Sequence, residues 1–157
     1  MPEKFDESIE KAKKALQTAD HIAYITFPLV KDKRLLLKTV DELYNVMLNI
    51  VNAILQYEYL YKRINLYKDP QENFRIFREK CALRFSLTSD ELGSIVNIFK
   101  LAMQHKQSPF EFMQREKVVI MSNNLHTETI TLEQIKKYLT NAKSLLLKAN
   151  AKIKSRA

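Results

Sequence analysis

Apolar residues recur through the middle of the chain at alternating steps of four and three: Leu36, Val40, Leu43, Met47, Ile50, Ile54, Tyr57, Tyr61 and Ile64. An unbroken seam of this kind marks one long helix packed lengthwise against others. Read over 33–66, with Asp32 as its cap, it would be roughly 50 Å long at 1.5 Å per residue. Shorter helices on either side are patterned to cover it. Phe5, Ile9, Ala12, Leu16, Ala19 and Ala23 stripe a first helix over about 6–24, capped by Asp6. Pro28 ends it, because the residue before a proline is pushed out of the helical region. Asp69-Pro70 opens a helix over 70–85 with Phe74, Phe77, Cys81 and Phe85 on one face. Thr88 with Glu91 has capping-box spacing at the start of a helix over 89–106, and Thr131 with Gln134 repeats it before a last helix over 132–153. Ser108-Pro109 predicts a short helix between them, through Gln114.

One stretch departs from the helical period. Residues 117–122 are rich in β-branched side chains, Asn123-Asn124 suits a two-residue turn, and 125–130 alternates. This predicts a β-hairpin over 117–130, which persists only if it lies on the helices. The expected fold is mainly α: a single domain over 1–157, an antiparallel bundle of five to six helices around the long central one, with one small hairpin.

Composition narrows the chemistry. The single glycine, Gly93, excludes glycine-rich phosphate loops and nucleophile elbows. The single cysteine, Cys81, excludes an internal disulfide. No histidine has an acid three residues before it, and no CxxC or HxxxH spacing occurs, so the pattern assigns no metal, cofactor or catalytic residue. The N-terminus lacks an apolar leader and no run has the length of a membrane span, which reads as a cytoplasmic protein without a transmembrane segment.

Charge changes the picture more than composition does. The net charge is +8, yet all 18 acidic residues and 19 of the 26 basic ones precede Gln134. The imbalance therefore belongs to the last helix, where Lys137, Lys148 and Lys152 lie away from the apolar face and suit a phosphate backbone. They also suit the negative end of that helix's dipole. Arg63, with Lys62 and Lys68, adjoins Tyr57, Tyr59, Tyr61 and Tyr67. Mixed cations and rings grip single-stranded nucleic acid; assigning Tyr57 and Tyr61 to the core leaves Tyr59 and Tyr67 to stack. His105 and Lys106 end one predicted helix beside the start of another, where free N–H groups and two cations would hold an anion, although capping alone accounts for them. Arg75 and Arg78 are spaced to pair with Glu72 and Glu79.

The far side of the long helix carries Asn45, Asn49, Asn52 and Gln56 where a solvent face would alternate charges. Uncharged amides suit a half-buried surface, which makes this row a candidate interface with a second copy. Together these patterns predict a non-enzymatic interaction protein, self-associating or part of an assembly, with an acidic partner such as RNA. Two alternatives follow from the same residues. One is a helical-bundle nuclease or nucleotide-processing enzyme using His105, Lys106 and nearby arginines. The other is a winged-helix-like DNA-binding unit over 70–130, with 109–116 as its recognition helix.

Overall fold

The computed structural model describes residues 3–107, 110–114, 117–121 and 127–155. Helix α1 spans Lys4–His21, passes through a widened turn at Ile22–Thr26 and runs on into α2, Phe27–Val30. Helix α3 spans Lys33–Leu60, α4 Pro70–Ile76 with a second widened turn at Phe77–Cys81, and α5 Ser89–Gln107. Three strands follow, β1 Phe110–Gln114, β2 Lys117–Met121 and β3 Thr127–Thr131, before α6, Leu132–Lys154. The fold is mainly α, as the periodicity predicts, with one small antiparallel sheet.

Helix α3 is the axis. Leu36, Val40, Leu43, Met47, Ile50 and Ile54 are all wholly buried, and α1, α5 and α6 pack against them in one continuous core. The covering stripe of α1 is buried from Phe5 to Ala23, and α6 contributes Ile135, Leu139, Ala142, Leu145 and Ile153. The caps lie where the chain places them. The Asp32 carboxylate accepts from the Arg34 N–H at 2.9 Å and Asp69 from Gln71 at 3.0 Å. Both capping boxes close, Thr88 with Glu91 and Thr131 with Gln134. Only α1 differs: its cap is Glu3, whose backbone N–H donates to the Asp6 carboxylate at 3.2 Å, so Asp6 answers the cap instead of being it.

Three boundaries correct the sequence reading, each for a backbone reason. Pro28 does not end the first helical stretch. The chain widens ahead of it, with Phe27 N–H donating five residues back to the Ile22 carbonyl, and the turn absorbs the missing proline donor. The stretch ends at Lys31, which takes the left-handed conformation (φ 55°). Helix α3 stops at Leu60, giving about 42 Å at 1.5 Å per residue, although its seam continues to Ile64. Lys62 at φ 62° closes it: the Lys62 N–H donates to the Tyr59 carbonyl at 3.0 Å and the Arg63 N–H to Glu58 at 2.9 Å, the paired bonds of a Schellman turn. Ile64 still reaches the core, from a loop. The same turn recurs at Ser86 (φ 57°), with Leu87 N–H on the Ala82 carbonyl at 3.0 Å.

The third correction is the predicted helix through Gln114. Residues 110–114 form a strand, β1, paired antiparallel along β2 from Phe110 opposite Met121 to Gln114 opposite Lys117. Five residues are too few to separate a two-fold from a 3.6-fold period, and ladder bonds to β2 decide the matter from outside the segment. The hairpin itself is present, β2 against β3 in register from Lys117 opposite Thr131 to Met121 opposite Thr127. The Asn123-Asn124 turn lies outside the described residues. With three strands, and with Val118, Ile120 and Ile130 buried on the bundle, the sheet escapes the marginal stability of a lone hairpin. A strand at 110–114 also removes the recognition helix that a winged-helix order requires. No helix among the described residues is long and apolar enough to cross a membrane.

Candidate nucleic-acid interface

The Schellman turn at Lys62 reverses the chain so that Arg63 folds back on the last turn of α3. There it meets Glu58, whose carboxylate is completely buried. Glu58 continues the apolar row Leu48, Val51, Leu55 by one more step, so the fold carries an acid into the interior. A carboxylate taken out of water is tolerated only when paired and hydrogen-bonded on several sides. Two guanidiniums supply this: Arg63 donates through Nε to one Glu58 oxygen, and Arg84, from the turn after α4, donates to the other at 2.5 Å. The Arg63 guanidinium also lies over the rings of Tyr57 at 5.4 Å and Tyr61 at 5.2 Å. Burial works against the Arg63 charge, but the hydrogen bond and charge of Glu58 together with the Tyr57 hydroxyl outweigh it and hold its pKa above the usual arginine value. Beside Glu58, the Cys81 thiol is pushed up to about 12 by burial and by the neighbouring carboxylate, so it remains protonated.

This trio, one buried acid under two partly exposed guanidiniums, underlies an exposed surface. Ending α3 early turns Tyr61 outward to 44% exposure, so it leaves the core to which the seam assigned it, while Tyr57 stays buried. Tyr59 and Tyr67 are each 54% exposed. The Tyr67 backbone is pinned through both its N–H and its carbonyl by the Asn73 side chain at 2.8 Å, which fixes the loop between α3 and α4. Lys62 and Lys68 are exposed and adjoin Tyr61 and Tyr67 in the chain, and among the described residues neither has an ion-pair partner. The C-terminal half of α6 reaches the same end of the bundle. Lys152 Nζ lies 6.0 Å from the Phe85 ring, and Phe85 meets Tyr57 edge to face at 6.0 Å.

The predicted contact residues therefore divide. Arg63 and Lys152 come together at this end. Lys148 is only partly exposed and is already engaged: its Nζ donates to Glu91 at 2.6 Å and to the Ser86 carbonyl at 2.8 Å. Lys137 sits at the opposite end of α6, next to Lys136, which lies over the exposed ring of Tyr24 at 5.0 Å. His105 and Lys106 are also remote. His105 Nε2 is 3.6 Å from the Asp41 carboxylate, which lies about 25 Å along α3 from Glu58 at 1.5 Å per residue. Among the described residues a strand follows α5, at 110–114, where the sequence predicts a helix N-terminus beside His105.

The four amides do not form one open face. Gln56 accepts from Ser8 of α1 at 3.5 Å, Asn49 donates to the Asn45 carbonyl of its own helix at 2.8 Å, Asn45 is exposed, and Asn52 lines a cleft between α3, α4 and α5. Arg75 takes both expected acids, Glu72 and Glu79, and among the described residues Arg78 has no ion-pair partner. Sequence reasoning missed Arg84 and the partnership with Glu58. The readable signal was an acid on an apolar row, which demands a cation from elsewhere in the chain. Among the described residues no group of three or more His, Cys, Asp or Glu could hold a metal ion. Comparison with protein-family models and with curated proteins finds no match to this chain.

Proposed function

We propose that the protein is a non-enzymatic binding protein whose partner is an acidic polymer, single-stranded RNA above all. The observation that supports this is the meeting, at one end of the bundle, of three exposed tyrosines with lysines from the loop after α3 and from α6, around two arginines paired to Glu58. Bases stack on exposed rings and phosphates are met by lysines, a combination that binds single strands with little sequence preference. The backbone that carries the rings is fixed by the α3 turn and by Asn73, so little backbone freedom is lost on binding.

Anisotropy of a labelled single-stranded RNA measures this directly. Binding should weaken steeply with added salt, because cations on the protein displace counterions from the strand. Replacing Tyr59 and Tyr67 together by alanine should cost about tenfold or more in affinity at low salt, since stacking on each ring is worth about 1–3 kcal/mol. Absence of binding at low salt, or full affinity in the double variant with an unchanged melting temperature, would remove the proposal.

A further inference from the structure

We infer that the cleft between α3, α4 and α5 is a separate binding site for an amphipathic anion, a carboxylate or phosphate head on an apolar body. The cleft has a volume of about 800 Å³, within the range of pockets that enclose small ligands. Its floor is a ladder of three half-buried rings, one from each helix. Tyr44 of α3 meets Phe99 of α5 edge to face at 5.4 Å, and Phe99 meets Phe74 of α4 at 5.4 Å. A cation stands at each end of that ladder. Arg78 lies over Phe74 at 5.2 Å, and Lys106 lies over Tyr44 at 5.4 Å.

Charge decides what the cleft can hold. The residues lining it include these two cations and not one acid. Glu72 and Glu79, the acids nearest to Arg78 in the chain, both pair with Arg75, to which they stand at helical spacing. Among the described residues neither Arg78 nor Lys106 has an ion-pair partner. Three accessible rings would favour any apolar body, but two unneutralised cations reject a positive ligand and attract a negative one. Asn52 adds an amide at the wall, able to hydrogen-bond a head group without opposing its charge. Only Asn73, whose side chain pins the Tyr67 backbone, is shared with the tyrosine-rich end. Neither Arg78 nor Lys106 belongs to that end, so loss of anion binding in variants of these two cations is distinguishable from loss of RNA binding.

Three probes with the same alkyl chain separate these contributions by calorimetry: decanoate, decyl phosphate and decyltrimethylammonium, each below its micelle-forming concentration. The two anions should bind at one site, about tenfold or more tighter than the cation, the discrimination of one charge-assisted contact. Preference between decanoate and decyl phosphate then identifies the head group. The Arg78→Leu, Lys106→Met double variant should bind all three alike, and Leu48→Trp, which fills the wall of the cleft, should weaken all three. Both variants change partly or fully exposed positions, and an unchanged melting temperature confirms that the bundle is intact. Equal binding of the cationic and anionic probes by the unaltered protein, no binding of either anion, or undiminished anion binding by the double variant would overturn the inference.

Discussion

Lys148 shows how far one residue can depart from its apparent role. In sequence it is one lysine in a basic stripe; in the fold it neutralises Glu91, an acid only 3% exposed at the start of α5. Burial alone would raise the Glu91 pKa, but the bonds from Lys148, Ser144 and the Thr88 backbone more than offset it and leave the carboxyl below its ordinary value. A carboxylate depressed in this way stabilises the fold above the ordinary carboxylate range, and that stability disappears as pH falls through the folded pKa. Lys148→Met should therefore destabilise the protein by about 3 kcal/mol at neutral pH, because it leaves a buried charge unpaired. The gap between variant and parent, measured by denaturant melts, should narrow as the solution is acidified through the carboxylate range, below about pH 4. A constant gap across that range would show that Lys148 acts through something other than the Glu91 charge. Reversing this lysine to test nucleic-acid binding would thus damage the fold first.

At the scale of elements, the longer helices and most of their starts were legible and their stops were not. Seam periodicity, the Asp32 and Asp69 caps and both capping boxes are local patterns, and the structure keeps all of them. The stops depend on left-handed residues that the chain fills with Lys31, Lys62 and Ser86 where glycine is usual, so nothing in the composition marks them. The strand at 110–114 depends on a partner across the sheet, equally invisible in five residues. The one glycine sits inside α5, where an added Cβ would meet nothing within 4 Å. The chain thus holds its glycine where alanine is better, and a serine where glycine is better. Ser86→Gly should stabilise by about 1 kcal/mol through relief of left-handed strain, and Gly93→Ala by about 0.5–1 kcal/mol through helix propensity. The two sites lie in separate elements, so their effects on the melting temperature should add. A loss of stability in the Ser86 variant would mean its side chain supports the turn.

Over the whole molecule, the basic surplus is a property of two ends instead of one helix. At one end Lys136 and Lys143 share the Tyr24 ring, and Lys143 is further held by Asp20 at 2.6 Å. At the other, Lys152 joins Lys62 and Lys68 near the exposed tyrosines, and none of these three has an ion-pair partner among the described residues. The tyrosine-rich end was half legible: Arg63, Lys62, Lys68, Tyr59 and Tyr67 are neighbours in sequence, whereas Lys152 and Arg84 reach them only through the fold. If net charge alone drew an acidic polymer, the two ends would be interchangeable. If a site at the α3 terminus binds it, they would not. Lys62→Glu with Lys152→Glu and Lys136→Glu with Lys137→Glu change the net charge equally, and all four positions are partly or fully exposed. The first pair should weaken single-stranded RNA binding by at least about tenfold and lower the salt slope by about 0.7 for each phosphate that is no longer neutralised. The second pair should leave that slope close to the parent's. Equal weakening by the two pairs would reduce the interaction to nonspecific attraction by a basic protein.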